Sequence, residues 1–124
     1  MFRSFYESCK IWRKFTCFCF TIRNIVKSDA ERRFVVVSAP GKRDDQDTKV
    51  TDALIKYYRQ YIAGNDVSKE QNWIIKRYSD MVSELGLKSA IIEKISKSII
   101  SLATLPIENN EFLYDTFLAA GENN

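Results

Sequence analysis

One short run constrains this chain more than any other. Phe34-Val35-Val36-Val37 is an uninterrupted β-branched and aromatic stretch with no alternating polar face. Such a run suits a strand covered on both sides, as in a parallel sheet clad by helices, and it predicts a strand at about 33–38. The rest of the readable chain has helical period. A lone parallel-type strand leaves main-chain N–H and C=O groups unpaired, which buried backbone does not tolerate. The chain therefore reads as part of an α/β domain, mostly helical, whose remaining strands lie elsewhere.

The helices follow from apolar spacing and from their stop signals. Asn24 to Lys27 reads as the tail of a helix, closed by the turn-forming pair Ser28-Asp29. After the strand and the polar loop Arg43 to Asp47, a helix is predicted from Thr48 or Lys49. Its inward stripe is Val50, Leu54, Tyr57, Tyr58, Tyr61 and Ile62, and Gly64 stands where a C-terminal cap belongs. The next has Ser68 and Gln71 at capping-box spacing, a stripe of Ile74, Tyr78, Met81, Val82 and Leu85, and Gly86 at its end. A further helix is expected over about Ser89 to Ala103, with Ile91, Ile92, Ile95, Ile99 and Leu102 inward, before Pro106 forbids continuation. The last begins near Asn109 or Asn110 and carries Phe112, Leu113 and Phe117 inward towards Gly121-Glu122.

Composition narrows the chemistry. Apolar residues at 45% and charged residues at 28% exclude wholesale disorder. The formal charge of +3 is far from the dense basic field of a dedicated nucleic-acid binder. With no histidine, nucleophile systems that need an imidazole base and all His-containing metal sites are excluded, and no metal ligand set is predicted. Cys9, Cys17 and Cys19 all fall in the first 19 residues at no zinc or redox spacing. The apolar run Phe15 to Ile22 is only eight residues long, too short for a bilayer span, and no small-residue cleavage site precedes Arg23. A cytoplasmic protein without membrane association is expected.

The stretch richest in chemical possibility is the strand, then Ser38-Ala39-Pro40-Gly41-Lys42, a polar loop, and a helix bearing Thr51. Open α/β sheets bind ligands beyond the carboxyl ends of their strands, and Gly41 would let main-chain amides approach an anion. The Gly-x-x-x-x-Gly-Lys-Ser/Thr spacing of a P-loop is absent. On spacing alone, an ordinary tight turn with a solvated basic residue accounts for the segment.

A resemblance adds to this reading. Residues 29–43, Asp-Ala-Glu-Arg-Arg-Phe-Val-Val-Val-Ser-Ala-Pro-Gly-Lys-Arg, followed by Asp47-Thr48-Lys49-Val50-Thr51-Asp52, resemble the aspartate kinase (aspartokinase) family. Its members carry a strand ending in Val-Ser-Ala-x-Gly-Lys and a Thr-Asp near the start of the next helix. The terminal Phe117-Leu118 and Gly121-Glu122 resemble the family stretch that ends at a substrate-contacting glutamate. The resemblance runs over about 23–124 and implies a partial amino-acid-kinase domain, the carbamate-kinase-like three-layer α/β fold. It implies ATP-dependent phosphorylation of L-aspartate to 4-phospho-L-aspartate, the opening step towards lysine, threonine and methionine. The implied partners are L-aspartate and ATP with Mg2+, in a family whose full-length chains form homo-oligomers. Carried over, Ser38 and Thr51 fall at aspartate-site positions, Glu122 at the acid facing the substrate ammonium, and Gly41 and Lys42 on the loop at the phosphate side. Hydroxyls bonding a carboxylate, and a carboxylate bonding an ammonium, are sound chemistry for that role. From the residues alone, Thr51 reads as a helix-start residue and Glu122 as a solvated terminal charge.

Residues 1–22 depart from the family. The family opens on a strand and a Lys-Phe-Gly-Gly-Ser/Thr-Ser motif that handles ATP phosphates, whereas no glycine precedes Gly41 here. One synonymous back-translation of Cys9 to Ile22, read one base later, spells Val-Lys-Phe-Gly-Gly-Ser-Ser-Leu-Ala-Ser-Ala-Ser-Gln. A frameshifted segment at 1–22 ahead of a partial kinase domain at 23–124 is thus expected, inactive by itself; a lineage-specific extension is the other account of 1–22. Two non-catalytic classes stand beside the kinase reading. One is a helical interaction module, and the other a weak anion or nucleic-acid binder using Arg13, Lys14, Lys42 and Arg43. The second lacks the clustered basic and aromatic pattern of such binders.

Overall fold

The computed structural model describes residues 24, 27–31 and 39–124. Residues 1–22 and the strand expected at about 33–38, which includes Ser38, lie outside the described residues. Those residues contain helices and no strand, so the α/β assignment rests on sequence and the helical part of the expectation is what is seen. The order is α1 (Val50–Ile62), α2 (Ser68–Glu84), α3 (Ala90–Ser101), a 3-10 turn (Leu102–Thr104) and α4 (Asn110–Asn123). Upstream, the Ser28 N–H donates to the Asn24 carbonyl at 2.8 Å, the closing helical turn that the sequence predicts.

α1 packs between α2 and α4, and α3 lies against α2. Their shared core consists of Val50, Leu54 and Tyr57 from α1, Ile74, Tyr78 and Val82 from α2, Ile95 and Ile99 from α3, and Leu113, Phe117 and Ala120 from α4. Phe117 is the hub of the aromatic packing. It meets Tyr57 edge-on at 4.8 Å between ring centroids and stacks on Tyr61 at 5.8 Å. The tyrosines also fix the helices by hydrogen bonds, because a buried phenol needs a polar partner. Tyr57 donates to the Ile99 carbonyl at 2.8 Å, Tyr58 to that of Asn110 at 3.2 Å, Tyr61 to that of Leu105 at 2.6 Å and Tyr78 to that of Gly121 at 2.9 Å. Each bond joins elements far apart in sequence.

The two glycine stops behave as the sequence predicts. Gly64 and Gly86 hold φ of 72° and 63°, a region costly for residues with a Cβ. At each, the glycine N–H and the next residue's N–H return to carbonyls of the last turn. Gly64 bonds Tyr61 and Asn65 bonds Gln60; Gly86 bonds Ser83 and Leu87 bonds Val82, all at 3.0 Å. This is the paired-bond stop that ends many helices.

Four local expectations are corrected. Ser68 and Gln71 form no capping box: α2 begins at Ser68 itself, and the Asp66 carboxylate accepts from the Ser68 N–H at 3.1 Å and hydroxyl at 2.7 Å. Gln71 instead donates its side-chain amide to the Tyr57 hydroxyl at 2.8 Å, tying α2 to α1. Phe112 is 68% exposed rather than inward. Asn109 caps α4 by accepting from the Phe112 N–H at 3.0 Å. Phe112, five residues before Phe117, then lies about 140° round the helix from the buried stripe. Ile91, in the first turn of α3, is also exposed, while Ile95 and Ile99 are buried; Ile62, the last residue of α1, is exposed too, where the helix end runs past its covering neighbours.

Candidate functional site

The loop that leads into α1 is tightly wired. The Val50 N–H donates to the Pro40 carbonyl at 3.1 Å, so the loop closes on itself before the helix starts. Within it, Asp47 accepts from the Arg43 N–H at 2.6 Å and the Thr48 N–H at 2.8 Å, and Asp44 accepts from the Gln46 N–H at 2.9 Å. From α2, Arg77 reaches across to this loop. Its Nη2 donates to the Gly41 carbonyl at 2.6 Å and lies 2.7 Å from Asp47 Oδ2. Arg43 in turn pairs with Asp80 on α2 at 3.3 Å, and Lys76 pairs with the same carboxylate. Trp73 lies under the Arg77 guanidinium, 5.8 Å from ring centroid to Cζ, within the range where cation and ring attract.

Electrostatics follow from these contacts. Burial pushes the Asp47 carboxyl up, but the amides of Arg43 and Thr48 and the Arg77 guanidinium outweigh it and hold the group below its ordinary value. The Lys76 ammonium leads in lowering Asp80. Arg77 is 5% exposed, and among the described residues its Nε, with Nε and Nη2 of Arg43, are buried donors without a partner.

Two of the residues carried over from the sequence, Thr51 and Glu122, each follow a residue of one contact between α1, α4 and the loop. A Cβ added to Gly121 of α4 would meet Leu54 Cδ1 at 2.9 Å, Ala39 Cβ at 3.0 Å and Val50 Cγ1 at 3.7 Å. Three segments therefore touch where α4 ends, α1 begins and the loop starts. Thr51 follows Val50 and is half-buried in the first turn of α1. Glu122 follows Gly121 and is exposed in the last turn of α4. Gly41 and Lys42 are half-buried in the loop, and Gly41 is the residue whose carbonyl Arg77 holds. Ser38, which precedes Ala39 in sequence, lies outside the described residues.

Comparison with known proteins bears on the family of the chain. No protein-family model matches the chain, and no solved structure matches it. Aspartokinase 3 of Bacillus subtilis (strain 168) is 42% identical over 101 residues, which is 82% of this chain. The chain belongs to the aspartokinase family. It spans 22% of that relative's length, so aspartokinase sequence occupies most of this chain while the chain corresponds to a short stretch of an aspartokinase.

For an aspartokinase stretch, the unforeseen feature is the Arg77–Asp47 pair. The sequence held a signal for it. Ile74, Arg77, Tyr78 and Met81 sit at i, i+3, i+4 and i+7, so a guanidinium occupies an inward slot of an apolar stripe. A charge in such a slot needs a buried partner, and Asp47, at the end of the polar loop, provides it. Among the described residues, no group of three His, Cys, Asp or Glu side chains could hold a metal ion, and no helix is long and apolar enough to cross a membrane.

Proposed function

We propose that this chain carries the aspartate-side part of an aspartate kinase, the enzyme that transfers the ATP γ-phosphoryl to the side-chain carboxylate of L-aspartate at the start of lysine, threonine and methionine synthesis. The observation that carries the reading is the contact of Gly121 with Ala39 and Val50. It gathers, at one junction, the sequence neighbours of Ser38, Thr51 and Glu122, three positions distant in the chain that the family resemblance assigns to one substrate.

The junction also has the polarity that an amino acid requires. Thr51 stands at the N-terminal end of α1, where the helix dipole favours a carboxylate. Glu122 stands at the C-terminal end of α4, where the dipole and the side-chain charge both favour an ammonium. In this reading, the Thr51 and Ser38 hydroxyls hold carboxylate oxygens of the substrate and Glu122 pairs with its α-ammonium. Their contribution is orientation, which is most of what phosphoryl transfer asks of a protein. Family enzymes work in the cytoplasm as homo-oligomers, and the same is proposed for the parent of this chain.

The described residues do not make a cradle for ATP and its magnesium. They hold no acidic cluster for the metal, and Arg43 and Arg77 are committed to Asp80 and Asp47. In the family, that task falls to a lysine- and glycine-rich motif, which on the frameshift account would be encoded one frame away from residues 1–22. The commitment of Arg43 to Asp80 also weakens the reading of the loop as a basic anion-binding surface.

The test compares two proteins for ATP-dependent phosphorylation of aspartate. One is the chain as it stands. The other has its N-terminal frame restored and the remainder of a family kinase domain joined after Asn124. Activity in the extended enzyme and none in the chain is the expected pair of results. An inactive extended enzyme that folds and binds ATP would overturn the reading.

A further inference from the structure

We propose that Arg77 is a positioning residue: from α2 it latches the loop 40–47, through the Gly41 carbonyl and the Asp47 carboxylate, in the shape that presents Gly41, Lys42 and the start of α1 to substrate. The inference rests on the aspartate-kinase reading for what the loop serves, but the latch itself is independent of it.

The geometry assigns the role. One nitrogen, Nη2, lies 2.6 Å from a main-chain carbonyl at the front of the loop and 2.7 Å from a carboxylate at its back. That carboxylate also accepts from the Arg43 N–H, so a single guanidinium fixes both ends of the turn. A planar, permanently charged group suits this two-point grip, whereas a lysine ammonium is a point charge on a flexible stem. Arg77 is 5% exposed and both of its bonded partners belong to the protein, so it acts through the loop rather than on a reacting group. Stability alone is a poor account of the arrangement. A buried ion pair contributes little over well-packed apolar side chains, and here the Arg77 Nε–H stays buried without a partner among the described residues. Such a pair is understandable where one loop geometry must be specified.

The test has two arms. In the chain itself, hydrogen exchange is followed at the Arg43 and Val50 amides, which report the loop, and at the Ile99 and Phe117 amides, which report the core. Arg77→Met is expected to speed exchange at Arg43 and Val50 by about tenfold or more, the scale of losing a charged hydrogen bond, with Ile99 and Phe117 unchanged. Asp47→Asn, which keeps the side-chain size, should loosen the same two amides and serves if Arg77→Met does not fold. In the frame-restored, extended enzyme, Arg77→Met should raise the KM for aspartate about tenfold and leave the KM for ATP within about twofold, with partial recovery in Arg77→Lys.

Loop amides unmoved in both variants would overturn the latch. Loosened amides with unchanged aspartate KM, or equal loss for both substrates, would overturn the positioning role. An extended wild-type enzyme that folds, binds ATP and does not phosphorylate aspartate would instead count against the kinase reading, with the latch still decided by exchange.

Discussion

Gly121→Ala sets two known effects against each other at one position, and the structure decides the sign. Alanine in place of a helical glycine favours the helix by at most about 1 kcal/mol. The added Cβ would stand 2.9 Å from Leu54 Cδ1 and 3.0 Å from Ala39 Cβ, closer than carbon atoms ordinarily approach. Leu54 is fully buried against the core, so its methyl has little room to retreat, and Ala39 offers no rotamer to change. Overpacking of this kind typically costs about 1–3 kcal/mol, which leaves a net destabilisation on the order of 0–2 kcal/mol. The separation of α4 from α1 would also lengthen the Tyr78 to Gly121 bond, now 2.9 Å. Urea titration followed by circular dichroism measures the difference, with Gly121→Ala,Leu54→Val as the companion variant. Removing the offending methyl should make the alanine less costly than in the Leu54 background. A Gly121→Ala chain more stable than the parent would refute the close approach on which the junction depends.

Other expectations follow from single contacts. Tyr57→Phe leaves the Ile99 carbonyl and the Gln71 amide without their shared partner, a loss on the order of 1–3 kcal/mol in the same titration. Burial pushes the Tyr78 phenol up to about 12 from an ordinary 10.0. The neutral form is the one the fold keeps, so this contribution is full below pH 10 and is lost as pH rises through about 12, and Tyr78→Phe should make the alkaline fall in stability shallower, with buried Tyr57 still contributing. Asp47 has the opposite sign. Its folded value lies below the ordinary 3.8, so the latch is intact above that pH and is lost only as pH falls through the lower folded value. Exchange at the Arg43 amide should therefore stay slow at pH 5 and quicken in stronger acid, with no such step in Asp47→Asn. In the gene, an insertion or deletion is expected near the codons of Ile22 to Asn24, with Lys-Phe-Gly-Gly-Ser-Ser encoded one frame away; sequencing that finds no such alternative reading would end the frameshift account.

Where periodicity and backbone chemistry agree, the helical part was legible in the residues. Gly64 and Gly86 end their helices at positive φ because no other residue does so cheaply, and the stripes of α1 and α2 lie inward as spaced except for Ile62 in the last turn of α1. Phe112 and Ile91 show the limit of such reading. Both sit in first turns, where hydrophobicity cannot tell a core face from an uncovered end, and the phase of α4 was fixed by the Asn109 cap rather than by Phe112. Gln71 shows another limit, because its spacing from Ser68 fits a cap while its amide serves a tyrosine on the neighbouring helix. The candidate site was legible as a set of residue types only through the family resemblance. The approach of their sequence neighbours depends on Gly121 lying against Ala39 and Val50, a contact across the chain that no local pattern encodes. Arg77 lay in plain view within an apolar stripe, yet its partner was unknowable until the loop folded back over α2.

The most direct measurement of the central claim is the kcat/KM for aspartate of Glu122→Gln in the frame-restored, extended enzyme, taken beside the KM for ATP. Glu122 is exposed in this chain, so its pairing with the substrate ammonium has the strength of a surface ion pair, about 1 kcal/mol. That predicts a fall of roughly fivefold in kcat/KM for aspartate with the KM for ATP within about twofold. Unaltered aspartate kinetics in a folded Glu122→Gln enzyme would remove Glu122 from the site and contradict the assignment of the junction to aspartate.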